Sequence, residues 1–218
     1  MGNVLIMCAL FHRYFEEHRL RAGFVNDGDD CVVIVEREDL PVFSDVVGWF
    51  KRYGFTMKRD EDVDIFEKIS FCQSNPVWVK NRWVMVRDPR ITTTRDAAWL
   101  RPLPNAKQWR RQCGAVAICG KKLTDGVPVS YAWYSALGGD KPRNDTIDYT
   151  RSGMEYLADG MTDTESDITP ATRASFYKAF DIIPDRQEAI EAALVAAALA
   201  WTKPAETRVA PRVPWLQF

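Results

Sequence analysis

Phe24-Val25-Asn26-Asp27-Gly28-Asp29-Asp30-Cys31-Val32-Val33-Ile34-Val35 is the stretch on which the reading of this 218-residue chain turns. An apolar pair, a polar cluster and a continuous apolar run read as strand, tight turn and buried strand, a hairpin with acids at its tip. Three readings of the cluster compete. Asn, Asp and Gly are ordinary turn residues. A calcium loop starting at Asp27 places Glu38 at position 12, but positions 5 and 6 are Cys31 and Val32, and the glycine that such a loop needs is missing. The third reading is a catalytic metal site, with adjacent carboxylates holding Mg²⁺ ions between a nucleophile and a nucleotide phosphate. Neighbouring side chains on an extended chain point to opposite sides, so Asp29 is expected to face the metals with Asp30 helping from the flank.

Upstream of the hairpin, Asn3 to about Arg21 reads as a helix that is apolar all round at its start. Such a helix belongs inside a core, and the expectation is that Met1 is an assigned start within a longer frame. Downstream, Asp39 is expected to cap a helix with Pro41 in its first turn, running through Phe50 to a stop at Gly54. Strands are expected at Phe55 to Lys58, Ile65 to Phe71, and Val77 to about Val86. Helices follow at about 93–101, 105–122, 127–137, 149–159, 170–180 and 185–201, punctuated by Pro and Gly. The fold class expected is α+β: a unit over 1–88 with antiparallel strands and the acidic hairpin, an all-helical unit over 89–203, and an extended Pro-containing tail over 204–218.

The formal net charge is −1, from 29 Lys+Arg and 30 Asp+Glu, which on its face argues against a basic nucleic-acid binder. Dividing the chain reverses that. Residues 1–79 hold 9 basic and 14 acidic side chains, residues 80–122 hold 11 and 2, and residues 123–218 hold 9 and 14. The middle block, at +9 and interleaved with Trp83, Trp99 and Trp109, suits a polyanion-facing surface. Hydrophobic residues at 46% exclude a disordered chain. The longest apolar runs, Val4 to Phe11 and Ala192 to Trp201, fall short of the ~18 residues that span a bilayer. Five separated cysteines with no CxxC pair and only two histidines predict neither a zinc site nor a disulfide framework, and point to a reducing intracellular setting.

Gly28-Asp29-Asp30 between apolar strands, after one helix and before another, resembles motif C of viral RNA-directed RNA polymerases, in the wording of the tombusvirus-like group of positive-strand RNA viruses. Gly2-Asn3 before the apolar helix looks like the end of motif B, whose SGxxxTxxxN pattern leaves Asn3 as its last member. In the family that Asn helps read the ribose 2′-hydroxyl. Gly54-Phe55-Thr56-Met57-Lys58 looks like motif D, where a lysine is implicated in protonating the pyrophosphate; Arg59 and Lys68 compete with Lys58 for that role. Phe66-Glu67-Lys68-Ile69-Ser70-Phe71-Cys72-Gln73 looks like motif E, the hairpin between palm and thumb that steadies the growing strand, with Phe71, Cys72 and Gln73 its most family-specific step. By position, Lys80, Arg82, Arg87, Arg90, Arg95, Arg101, Lys107, Arg110 and Arg111 fall where a thumb meets template and product RNA. Reverse transcriptases also carry an Asp pair, but the aromatic residue usual two positions before it is Asp27 here.

The resemblance implies a nucleotidyltransferase in viral genome replication, using two Mg²⁺ or Mn²⁺ ions, nucleoside triphosphates and an RNA template. Asp29 and Asp30 are the expected metal ligands and catalytic residues, with Lys58 as proton donor. Motif A, a D-x(4)-D pattern, and most of motif B are expected upstream of Met1 with the fingers, so this piece alone is expected to be inactive. Asp140 and Asp145 have the motif A spacing and precede Ser152-Gly153, but the threonine and asparagine slots that should follow hold Leu157 and Met161. A permuted motif order is therefore rejected. The competing hypothesis is a non-catalytic RNA-binding palm-thumb module. The expected location is the host cytoplasm, with membrane-associated replication complexes reached through other regions or proteins.

Overall fold

The computed structural model describes residues 2–97, 105–138 and 154–201. They form helices and two small hairpin sheets, an α+β architecture that divides into two compact units between Ser74 and Asn75.

In the first unit, α1 (Gly2–His18) buries Phe11, Tyr14 and Phe15, the spacing of one helical face. At the apolar start of the helix Leu5 is 66% and Ile6 44% exposed, so the described residues leave that end uncovered. Strands β1 (Ala22–Asp27) and β2 (Asp30–Val35) pair antiparallel. Their inner face joins Phe11, Phe43, Val46, Trp49 and Phe50 in one core.

The expected helix from Asp39 is broken. Two 3₁₀ turns, Arg37–Asp39 and Val42–Asp45, precede a short α2 (Val46–Arg52), and Asp39 caps nothing. The competing bonds are visible. The Tyr14 hydroxyl donates to the Val42 carbonyl at 2.8 Å and the Arg59 guanidinium to that of Phe43 at 2.9 Å, drawing on acceptors a regular helix would use.

Residues 55–63, expected to include a strand, have no regular structure and find no strand partner among the described residues; Met57 alone of Phe55 to Lys58 packs against the core. Ile65 to Phe71 is likewise not a strand but holds a 3₁₀ turn at Phe66–Lys68. The chain then reverses at Phe71–Ser74, where Phe71 and Ser74 exchange backbone bonds of 2.9 and 3.0 Å around Cys72 and Gln73, both at positive φ.

The expected single strand Val77 to Val86 is a hairpin, β3 (Ser74–Val79) and β4 (Arg82–Arg87). Its turn is Lys80-Asn81, with φ of 50° and 59°, the signature of a two-residue type I′ loop.

Asp88 accepts from the Arg90 amide at 2.8 Å with Pro89 next to it, so α3 (Pro89–Arg95) begins earlier than the expected residue 93. Then come α4 (Ala106–Leu123, capped by Asn105), α5 (Ser130–Leu137), α6 (Met154–Leu157), α7 (Pro170–Phe180) and α8 (Pro184–Trp201). Val77, Val79 and Val86 of the hairpin share a core with Phe176, Phe180 and Leu194 of α7 and α8.

Helices α4 and α5 meet at Gly120, where an added Cβ would lie 2.1 Å from the buried Tyr134 ring. Arg101, the acids Asp140 and Asp145, and the tail 204–218 lie outside the described residues. Among the described residues no helix is long and apolar enough to cross a membrane.

Candidate active site

The hairpin register pairs Asp27 with Asp30 and leaves Gly28-Asp29 as a two-residue loop. Gly28 has φ +82° and Asp29 is not at positive φ, the pattern of a type II′ turn with Gly in its first position. Alternation sends Ala22, Phe24 and Asn26 inward and Gly23, Val25 and Asp27 outward. Asp27 and Asp30 are thus cross-strand neighbours on the open face, and Asp29 sits exposed at the loop. Like charges directly opposite across a ladder are destabilising, so this arrangement favours a cation. The Cβ of Asn3 lies 3.8 Å from where a Cβ on Gly28 would sit, bringing the start of α1 beside the acidic loop.

Asn26 holds that geometry, and its role was not legible from the sequence. Its amide nitrogen donates to the Val4 carbonyl at 2.9 Å and contacts the Cys8 thiol at 3.4 Å, while its oxygen accepts from the Cys31 thiol at 3.4 Å. One side chain therefore ties the first turns of α1 to both strands. Burial, reinforced by the Asp30 carboxylate, pushes the Cys31 thiol up to about 11.

From the Phe71–Ser74 turn, the Cys72 thiol donates to Asp27 Oδ2 at 3.5 Å. Local desolvation first, and the Asp27 bond second, push that thiol up to about 11. Residues 71–73 and the acidic hairpin are thereby in contact. Lys58 is not brought into that contact: its ammonium is open to solvent and pairs with Asp60 at 3.1 Å. Its competitor Arg59 is tied to the Phe43 carbonyl at 2.9 Å and to Asp62 at 2.5 Å.

The donor set suits a small hard cation. Mg²⁺ takes oxygen ligands, keeps waters, and is commonly held by one or two carboxylates plus substrate phosphates. Asp29 and Asp30 supply such oxygens. Among the described residues no group of three or more His, Cys, Asp or Glu side chains could by itself hold a metal ion.

The basic stretch divides into two groups. Lys80 pairs with Asp125, whose buried carboxylate also accepts from the amides of Thr164 at 3.1 Å and Ser166 at 2.8 Å. Burial alone would raise Asp125; the Lys80 ammonium and these donors outweigh it and hold the acid well below the usual carboxylate range. Arg87 pairs with Asp96 at 2.7 Å, and the other oxygen of Asp96 accepts from the Tyr134 hydroxyl at 2.6 Å. Arg90 bonds Asp88 and the Phe180 carbonyl. These three cations are built into the fold. Arg82, Arg95, Lys107, Arg110 and Arg111 form no ion pair among the described residues. Lys107, Arg110 and Arg111 crowd the first turns of α4, which has no acid in its first turn. The helix dipole disfavours cations there, so an external anion is the natural counterpart.

A family model described as "Viral RNA dependent RNA polymerase" matches residues 1–202. Among curated proteins, the chain is similar to the RNA-directed RNA polymerase of Tobacco necrosis virus (strain A), at 36% identity over 88% of this chain and 27% of that protein. It is also similar to the RNA-directed RNA polymerases of Melon necrotic spot virus, at 36% over 92% of this chain and 26% of that protein, and of Panicum mosaic virus, at 34% over 98% and 23%. The chain spans about a quarter of the length of these relatives. No solved structure matches it. The matched stretch takes in α1, the acidic hairpin and the helical unit, and the chain belongs to the viral RNA-dependent RNA polymerase family.

Proposed function

We propose that this chain is the C-terminal part of an RNA-directed RNA polymerase, carrying motif C and the strand-holding region for template-directed nucleotidyl transfer to an RNA 3′-hydroxyl. The observation that carries the reading is the acidic hairpin: Asp29 exposed at a glycine-led loop, Asp30 beside it, and Asn3 packed against the same loop, in a chain of this family. In this reading residues 1–88 are palm and 89–203 thumb. Asp29 and Asp30 would hold Mg²⁺ or Mn²⁺ together with an acid supplied from upstream. The chemistry supplied by ions bound there would be a lowered pKa of the attacking hydroxyl and an offset to the charge on the leaving pyrophosphate.

The chain's own residues do the rest. Asn3, close to the loop, would favour ribose over deoxyribose. Lys58 is open to solvent with only a surface ion pair, worth about 0.2–1 kcal/mol, so it can be drawn toward a leaving group at little cost. Phe71, Cys72 and Gln73 occupy a turn in contact with the hairpin and would steady the product end. Arg82, Arg95, Lys107, Arg110 and Arg111, which form no ion pair among the described residues, are the phosphate contacts; Lys80, Arg87 and Arg90 chiefly hold the fold.

The test is Mg²⁺-dependent nucleotide incorporation on an RNA template by the complete polymerase that contains this sequence, by its Asp29→Ala variant, and by the 218-residue chain alone. Activity of the complete protein, lost in the variant and absent from the chain alone, is expected. Incorporation that survives Asp29→Ala would overturn the assignment of the hairpin and leave the RNA-binding module as the better reading.

A further inference from the structure

Asp27 is an acid of the hairpin to which the proposed chemistry assigns nothing. It faces Asp30 across the ladder on the open side, and neither carboxylate forms an ion pair among the described residues. Like charges so placed repel. The donor that meets them comes from 45 residues along the chain: the Cys72 thiol, 3.5 Å from Asp27 Oδ2. The Asp30 carboxylate acts on the same thiol. One S–H group is therefore set against both members of the repelling pair.

Both ends of that contact are held. Asn26, next to Asp27, is tied to the Val4 carbonyl at 2.9 Å and to the Cys31 thiol at 3.4 Å, so the strand that carries Asp27 is fixed to α1. Cys72 sits in a two-residue turn closed by the Phe71–Ser74 backbone bonds, and the Ser74 hydroxyl donates to the Cys72 carbonyl at 3.4 Å. Cys72 and Gln73 have φ of 50° and 60°, a conformation that Asn-Gly adopts with ease and that these residues adopt under strain. Strained backbone persists where its surroundings over-determine it, and it clusters at functional sites. Here the strained residue is the one that reaches the acidic pair.

We propose that Asp27 and Cys72 form a latch that sets the spacing between the acidic loop and the Phe71–Ser74 turn, which makes Asp27 a positioning residue for the RNA 3′ end and not a metal ligand. This rests on the reading that Asp29 and Asp30 hold the metal and that residues 71–73 steady the product. With the latch closed, loop and turn keep one spacing. With either partner removed the turn is free to take others, and only the fraction of molecules in the closed arrangement receives the RNA end correctly. The cost therefore falls on the use of RNA, not on nucleotide or metal affinity.

The test is extension of a template-paired RNA 3′ end by the complete polymerase that contains this sequence, with RNA, nucleotide and Mg²⁺ varied separately. Cys72→Ala and Asp27→Ala should each lower kcat/KM for the RNA about 2- to 10-fold, the net weight of one hydrogen bond. KM for the nucleotide and the Mg²⁺ concentration at half-maximal rate should not move. The double variant should lose no more than the worse single one, and Cys72→Ser, which keeps a donor, should retain most of the wild-type value. Additive losses, or a shifted Mg²⁺ requirement in Asp27→Ala, overturn the latch; if Asp29→Ala still abolishes incorporation, the polymerase reading stands. A wild-type enzyme that incorporates nothing overturns both. One arm needs no variant to fold: alkylation of Cys72 in the wild-type enzyme should slow when the paired RNA is bound, and an unchanged rate overturns the placement of this turn at the RNA end.

Discussion

Replacing Gly120 with alanine tests the packing of the helical unit at its tightest point. The new methyl would lie 2.1 Å from Cδ1 and 2.3 Å from Cε1 of Tyr134. Carbon atoms rest about 3.5–4 Å apart, so the ring must retreat by about 1.4 Å or the helices must part. The ring is not free to slide: it is buried, and its hydroxyl bonds Asp96 at 2.6 Å, whose other oxygen bonds Arg87 at 2.7 Å. The displacement would stretch the Tyr134–Asp96 bond to about 4 Å, beyond hydrogen-bonding range. Overpacking costs about 1–3 kcal/mol, and a hydrogen bond to a charged acceptor contributes about 1.5–3 kcal/mol. Against these, alanine in place of a helical glycine gains about 1 kcal/mol. The expected net loss is about 2–4 kcal/mol, read as a lowered urea midpoint followed by circular dichroism. Tyr134→Phe should lose only the hydrogen bond. In a Tyr134→Leu background, Gly120→Ala should cost less than about 1 kcal/mol, because the clashing ring atoms are gone. A Gly120→Ala chain as stable as the wild type, or an undiminished cost in the Tyr134→Leu background, would refute the reasoning.

Three further outcomes are expected. Asp125 has a folded-state pKa below its unfolded value, so its contribution to stability is fully present at neutral pH and is lost as pH falls below about 4–5; urea midpoints of Asp125→Asn and wild type should differ at pH 7 and converge toward pH 2. Cys72 is exposed yet carries a thiol pushed up to about 11, so its alkylation at pH 8, followed by mass spectrometry, should run on the order of 10²-fold slower than that of an ordinary thiol. Asp27→Asn removes the carboxylate and should speed it. Asn26→Ala removes the link from the hairpin to the Val4 carbonyl and should cost about 1–2 kcal/mol, with amide exchange rising first in the hairpin and in the start of α1.

The acidic hairpin was legible because its information is local: a glycine between acids, flanked by two apolar runs, specifies turn, register and exposed carboxylates within a dozen residues. The turn at Lys80-Asn81 was not legible, because left-handed backbone at residues other than glycine is imposed by the surrounding pairing and leaves little trace in composition. Phe55 to Lys58 has a strand's composition, but among the described residues no partner strand completes it, so only Met57 settles into the core. The cation count located the basic stretch correctly yet could not sort it. Nothing near Lys80 announces that Asp125, far along the chain, neutralises it. Asn26 reads as one more turn residue until the Val4 carbonyl is seen to need a donor.

The Gly120–Tyr134 contact also sets a mechanical scale. At 1.5 Å per residue, the cations at Lys107, Arg110 and Arg111 stand about 14–20 Å along α4 from that contact. Helix α4 is then a lever with its fulcrum at a glycine. A tilt of about 5° at the fulcrum carries the charged end through about 1.2–1.7 Å. Through Tyr134, Asp96 and Arg87 the same fulcrum is bonded to β4, the strand bearing Trp83. A change in side-chain volume at position 120 would thus alter the spacing between the start of α4 and β4 without touching either.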